Sequence, residues 1–262
     1  MVLTEYILKR RCFSKKMNMS KEYEKYVNID GAALYTKVIK GKKDNPVIIM
    51  DAGYGDYSKT WDQVAEKITE YGTVLLYDRA GLGKSEKSPN TRVSSEMVKE
   101  LREILQQLHL KPPYIFVGHS FGGINVRLFA SLYPEETAGL ILVDSTPENY
   151  REKFLPIMSS EFQEAYYKQF TYEGTYEEFM RSLDEVGRHP QTLGNIPLVI
   201  VAAGKKDFYS DEAQAQWIKM QKELLQLSNN HKMIIALNSG HYIQRDEPEY
   251  VIEAVKWIVS HM

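Results

Sequence analysis

Apolar positions along this chain fall into two patterns: short continuous runs, and longer stretches where they recur every three or four residues. The continuous runs are Val47-Ile48-Ile49-Met50, Thr73-Val74-Leu75-Leu76-Tyr77, Pro113-Tyr114-Ile115-Phe116, Leu140-Ile141-Leu142-Val143, Pro197-Leu198-Val199-Ile200-Val201 and Met233-Ile234-Ile235-Ala236-Leu237. Each has the length of a strand buried on both faces. Between them, helical periodicity predicts helices over about 58–71, 94–108, 122–133, 211–227 and 247–261. Ahead of the first run, 25–30 and 33–39 alternate around Asp30-Gly31, which predicts an antiparallel hairpin. Strands alternating with helices in this way call for an α/β fold, a mostly parallel central sheet with helices on both faces.

The rhythm breaks once. From 150 to 194 the chain is helical and aromatic with no strand-like run. This stretch reads as a helical cap inserted over the carboxyl edge of the sheet, where ligands sit in open α/β folds. The predicted organisation is a 1–24 extension, loosely ordered; an α/β core over 25–149 and 195–262; and a cap over 150–194. The extension carries Lys9, Arg10, Arg11, Lys15 and Lys16 with no long apolar segment or small-residue cleavage site after them, so a signal peptide is not expected. Met17 or Met19 is an alternative start.

Composition narrows the function classes. The chain has 262 residues, 43% of them hydrophobic, and a net charge of −2, which gives no reason to expect nucleic acid or an anionic membrane as partner. Its single cysteine, Cys12, precludes an intrachain disulfide and a cysteine-based metal site. No apolar run approaches the roughly 18 residues of a membrane span. The expectation is a cytoplasmic protein without cofactor or metal and without stable membrane association.

The candidate chemistry lies at Gly118-His119-Ser120-Phe121-Gly122-Gly123, reached from an apolar strand and leading into a helical pattern. Gly-x-Ser-x-Gly between strand and helix is the form of a nucleophile elbow, a strained turn that lifts one serine hydroxyl clear of the sheet. A serine needs a positioned base. Among six histidines, His241 follows the last strand on a loop before the final helix, the placement a base requires. His119 reads as packing or loop support. An acid must fix the base, and two aspartates compete. Asp207 follows the strand ending at Val201, and Asp144 ends the preceding strand. The reading favours Asp207, whose short loop is expected to carry its carboxylate towards His241, with Asp144 capping the turn below the insertion. Oxyanion donors are expected at the amides of Phe121 and Tyr54, the latter in the glycine-containing loop 51–56.

Taken together, these elements resemble the α/β-hydrolase superfamily across roughly 26–261. The elbow matches, as do Asp78-Arg79-Ala80-Gly81-Leu82-Gly83-Lys84-Ser85 as an Asp-x-x-Gly-x-Gly-x-Ser loop, 204–207 as an acid loop and Gly240-His241 as a histidine loop. Ala52-Gly53 departs from the His-Gly that many members carry there. Phe121 and the elbow serine set the chain apart from proline-iminopeptidase-like members, dehalogenases and epoxide hydrolases. The remainder looks most like small bacterial carboxylesterases. Gly83-Lys84-Ser85 does not complete a P-loop, since Asp78 stands at the first glycine position.

The resemblance implies hydrolysis of an ester or related acyl compound (EC 3.1.1) through an acyl-serine. Cap aromatics Phe154, Met158, Phe162, Tyr166, Phe170 and Phe179 (a methionine among them) are expected to wall an apolar pocket. Glu161, Glu164, Glu173, Glu177 and Glu178 are expected on its solvated face. The alternatives are a ligand sensor with slow or single turnover, and a hydrolase of lactones, thioesters or carbon–carbon bonds using the same residues.

Overall fold

The computed structural model describes residues 21–42, 46–189 and 192–262. The basic N-terminal run, Cys12 and the alternative starts Met17 and Met19 lie outside the described residues. The hairpin forms as expected, from β1 (Glu22–Ile29) and β2 (Ala32–Ile39). Asp30 and Gly31 both take positive φ, 50° and 88°, which matches the right-handed twist of the two strands. The apolar runs become β3 (Val47–Asp51), β4 (Thr73–Tyr77), β5 (Tyr114–His119), β6 (Thr137–Val143), β7 (Leu198–Ala203) and β8 (His231–Ala236). They join one eight-stranded sheet in the order β1-β2-β4-β3-β5-β6-β7-β8. Strands β3 to β8 pair in parallel, and β1 and β2 add an antiparallel edge.

Even the continuous apolar runs keep a period of two, because successive side chains leave opposite faces of a strand. Ile49, Leu75, Phe116, Leu140, Leu142 and Ile200 enter one core. Ile48, Met50, Val74, Val117, Ile141 and Val199 enter the other. On the first face pack α2 (Ser94–Gln107), α3 (Gly122–Leu132) and α7 (Asp211–Glu223), following α1 (Ala65–Ile68) in the chain. The second face is covered by α1 and by α9 (Pro248–His261), which the short α8 (Ile243–Asp246) precedes. At about 1.5–3 kcal/mol per fully buried aliphatic or aromatic side chain, these two cores supply the main favourable contribution to folding. Among the described residues, no helix is long and apolar enough to cross a membrane.

The helix expected over 58–71 is broken. Ser58–Trp61 is a 3-10 turn and only Ala65–Ile68 is α-helical. Several of its amides bond three residues back (Asp62 to Lys59, Val64 to Trp61, Thr69 to Glu66), and the Thr69 hydroxyl donates to the Glu66 carbonyl. The β-branched Thr60, Val64, Ile68 and Thr69 weaken the helix, while Trp61, Val64 and Ile68 still bury the same face.

Between β6 and β7 the chain forms α4 (Tyr150–Lys153), α5 (Ser160–Lys168) and α6 (Tyr176–Arg188). Helix α6 substitutes for the cap that α2 lacks. Ser182 Oγ accepts the Ser94 amide at 2.9 Å, Glu185 accepts the Ser95 amide at 2.8 Å, and Glu178 accepts the Arg92 amide at 2.8 Å. The acidic residues of the insertion therefore divide. Glu161, Glu164 and Glu177 are exposed. Glu173, with a fully buried side chain, and Glu178 tie the insertion to the core, contrary to the solvated face expected of them, because each meets donors that the core leaves open.

Two glycines give opposite expectations. A Cβ on Gly122 would lie 2.4 Å from the Asp51 carbonyl oxygen and 2.5 Å from that of Ala52, both fixed backbone. Gly122→Ala is expected to cost about 1–3 kcal/mol, lowering Tm by roughly 2–12 °C for a chain of this size. A Cβ on Gly187, inside α6, meets nothing closer than Glu148 at 4.0 Å. Gly187→Ala should raise stability by about 0.4–1 kcal/mol. Calorimetry of the two variants checks both signs.

Candidate active site

Strands β5 and β6 pair through His119 and Val143. The next residue on each is Ser120 and Asp144, so the two stand side by side at the carboxyl ends of neighbouring strands. Both leave the sheet in the left-handed region, Ser120 at φ 51° and Asp144 at φ 42°. Such backbone costs about 1–3 kcal/mol per residue and persists only where the surroundings over-determine it. Here the Ser120 amide donates to Val143 O, its carbonyl accepts from Gly123 and Thr146, and the Asp144 amide donates to Val201 O.

His241, on the loop after β8, meets Asp144 and not Asp207. Its Nδ1 lies 2.6 Å from Asp144 Oδ2. This corrects the expectation for the acid, and the reason lies in the loop after β7. Gly204 donates to the Ala236 carbonyl, Lys205 to that of Ser239, and the Lys206 amide to Gln214 Oε1. These bonds turn Lys206 inward and leave Asp207 exposed at the cavity rim. The same loop bonds seat the histidine loop, and His119 Nε2 donates to the His241 carbonyl at 2.9 Å. That carbonyl can only accept, which fixes the His119 tautomer, and burial together with the neighbouring His241 holds the His119 pKa well below its ordinary value. His119 is thus a support of the histidine loop.

The Asp144 carboxylate is fully buried and accepts four hydrogen-bond donors. Besides His241, these are Lys206 Nζ at 2.7 Å, Trp217 Nε1 at 2.6 Å and the Ala203 amide at 3.0 Å. Burial alone would raise its pKa, but the Lys206 charge and the His241 bond hold it well below the usual carboxylate range. An ionised acid that only accepts makes His241 Nδ1 the donor, leaving Nε2 as the basic nitrogen. Lys206 also lies 3.5 Å above the Trp217 ring, and burial lowers its own pKa. For His241, burial and then the Lys206 charge depress the pKa, against the opposing pull of Asp144.

Ser120 and His241 share a cavity of about 600 Å³ with Tyr54 and Phe121. Phe162, Tyr166 and Phe179 line it. Phe154, Met158 and Phe170 do not. Phe154 is buried among Tyr150, Tyr209 and Trp217; Phe170 packs on Tyr54, Tyr166 and Phe179; and Met158 is buried in the same core. They form the layer behind the wall. Also among its lining residues are Tyr150, Tyr209, Trp217 and Lys206. The last three come from the core rather than the insertion, and no local signal marks them.

Loop 51–55 lies against the elbow, since a Cβ built on Gly53 would sit 3.3 Å from Ser120 Cβ. Among the described residues, the Tyr54 and Phe121 amides donate to no backbone or side-chain acceptor. The Asp78-to-Ser85 loop supports this region: Asp78 accepts the Ser58 and Lys84 amides, and Ser85 Oγ donates to the Asp78 carbonyl. No cluster of His, Cys, Asp and Glu among the described residues could hold a metal ion.

The charged groups facing His241 are Asp144 after β6, Lys206 after β7 and Asp56 after β3, with the neutral His119 beside it. Removing the Lys206 cation by Lys206→Met takes away a charge that disfavours the imidazolium. The His241 pKa should therefore rise, and its neutral form should persist over a narrower range on the acid side. Imidazole ¹⁵N NMR titration checks this; an unchanged or lowered midpoint would contradict it.

Comparison with known proteins agrees with this architecture. A family model described as the alpha/beta hydrolase fold matches residues 45–176. The chain is 34% identical over 233 residues to YqjL of Bacillus subtilis, an uncharacterized protein, covering 88% of this chain and 90% of that one. A thermophilic esterase from Thermogutta terrifontis superposes with a TM-score of 0.63 at 16% identity, covering 93% of this chain and all of the other. A haloalkane dehalogenase from Bradyrhizobium elkanii gives 0.64 at 15% identity, covering 91% and 97%. These structural likenesses show the fold, which serves more than one chemistry. With its sheet, its elbow and the matched family model together, the chain belongs to the alpha/beta hydrolase fold family and is a hydrolase.

Proposed function

We propose that the chain is a serine hydrolase cleaving a carboxylic ester, or a related acyl compound with an apolar portion, through an acyl-serine. The observation that carries this reading is the pairing of Ser120, held at φ 51° on the elbow, with a histidine in the same cavity whose Nδ1 is locked by a buried aspartate. Asp144 takes the role that the sequence reading gave to Asp207. Helices α4 to α6 serve as the cap.

In this mechanism Ser120 Oγ attacks the substrate carbonyl while His241 Nε2 takes its proton. Asp144 stabilises the imidazolium, and the Tyr54 and Phe121 amides hold the oxyanion. The tetrahedral intermediate collapses, His241 returns the proton to the leaving alcohol, and the acyl group stays on Ser120. Water then attacks the acyl-serine with His241 again as base, releasing the acid and restoring the serine. The depressed His241 pKa keeps the base neutral at pH 7, so turnover should fall only as pH drops through that value. Aromatic walls give the acyl or alcohol portion an apolar seat, and the cavity of about 600 Å³ suits a substrate of modest size.

Purified chain should hydrolyse p-nitrophenyl butyrate and be labelled by a fluorophosphonate, and Ser120→Ala should lose both with the fold intact. Asp144→Asn should lower kcat by about 10⁴, while Asp207→Asn stays near the wild-type rate. Retained turnover in the Ser120 variant would sink the proposal. Equal losses in the two aspartate variants would sink the assignment of the acid.

A further inference from the structure

We propose that Arg79 and the insertion's Glu173 are positioning residues that set the oxyanion donor of Tyr54, an inference that rests on the serine-hydrolase reading above. Arg79 follows β4, and its side chain is 2% exposed. A guanidinium carries five N–H donors in a rigid fork, and here every one finds an acceptor. Nε and one Nη2 hydrogen go to the two oxygens of Glu173, at 2.5 and 2.8 Å. The other Nη2 hydrogen goes to the Gly53 carbonyl at 2.7 Å. Nη1 donates to the Ala52 carbonyl at 2.7 Å and to Asp51 Oδ1 at 2.5 Å.

The bonds to the two carbonyls carry the consequence. A trans peptide is planar, and its C=O and N–H point in opposite directions. Drawing the Gly53 carbonyl onto Arg79 turns the Tyr54 N–H away from it, and drawing the Ala52 carbonyl there does the same for Gly53 N–H. Gly53 is the residue that abuts Ser120 Cβ. The guanidinium therefore holds the rotation of the two peptide groups on which the second oxyanion donor depends, sharing the Gly53 carbonyl with the Asp56 amide at 3.1 Å.

Glu173 fixes Arg79 in turn. Its carboxylate is fully buried, grips the guanidinium through two oxygens, and also accepts the Gly55 amide at 3.1 Å. Tyr54 closes the same junction: its hydroxyl donates to the Gly174 carbonyl at 2.6 Å and accepts the Gly174 amide at 2.9 Å. The insertion thereby supplies the groups that hold the loop in its working rotation, in addition to walling the cavity.

The test compares wild type with the near-isosteric Glu173→Gln, using p-nitrophenyl butyrate turnover and a trifluoromethyl ketone that forms an oxyanion on the serine. Glu173→Gln should lower kcat about 10- to 1000-fold, the range for loss of an oxyanion donor, with KM nearly unchanged. Affinity for the ketone should fall in proportion to kcat/KM, and the His241 NMR titration should stay at its wild-type midpoint. Tyr54→Phe, which removes only the second tie at Gly174, should shift kcat the same way by a smaller factor; it decides the matter if the Gln variant does not fold. Wild-type kcat in the folded variant, or a loss confined to KM, would overturn the inference. An inactive wild type, or an active Ser120→Ala chain, would overturn the serine-hydrolase reading first and this inference with it.

Discussion

The site depends on one buried carboxylate. Asp144 has no exposure, and an ionised carboxylate in such a place is tolerable only with its lone pairs met and its charge balanced. Both conditions hold, and meeting them organises the surroundings. Ala203 brings the end of β7, Trp217 brings α7, Lys206 brings the loop between them, and His241 brings the loop after β8. The stretch 203–217 and the histidine loop converge on Asp144, well before either in sequence, because each supplies donors to the same group. The histidine's place over the elbow is a consequence of that convergence.

The serine side is built on the same logic with the charges reversed. There the buried ion is a cation, Arg79, and the acceptors come from the loop after β3 and from the insertion. Between these centres lie mostly aromatic side chains, with Tyr54 edge-on to Phe121, Phe170 and Phe179. Such surroundings strengthen every polar contact left inside, so a missing partner on either side would cost more than an exposed ion pair contributes.

The sheet was legible because its parallel strands carry continuous apolar runs and its hairpin alternates, and the elbow because Gly118, Gly122 and Gly123 stand where a Cβ would meet neighbouring atoms. His241 was legible because a loop after the last strand is reached from one direction only. The carboxylate that meets His241 was not. Asp144 and Asp207 each follow a strand, and local pattern gives no account of which faces inward. Lys206 marks the difference: its ammonium turns in towards Asp144, and the neighbouring Asp207 is exposed. Glu173 was misread for a related reason. In an exposed-looking run of acidic residues, nothing local reveals that Arg79, 94 positions earlier, lies beneath it.

Strand geometry explains why the carboxylate that meets His241 stands after β6. Neighbouring parallel strands are about 4.8 Å apart, and the sheet runs β5-β6-β7-β8 from the serine strand to the histidine strand. A carboxylate after β6 is one strand from Ser120, so the histidine loop must cross β7 to meet it. His241, bonded to Asp144 there, then lines the same cavity as Ser120. A carboxylate placed after β7 would draw the ring one strand further from Ser120 unless its loop bent back. The loop 204–207 cannot bend that way, because its amides at Gly204 and Lys205 are already engaged with the carbonyls of Ala236 and Ser239, which seat the histidine loop. The placement of Asp144, the inward Lys206 and the reach of His241 are one arrangement, fixed by the order of the strands.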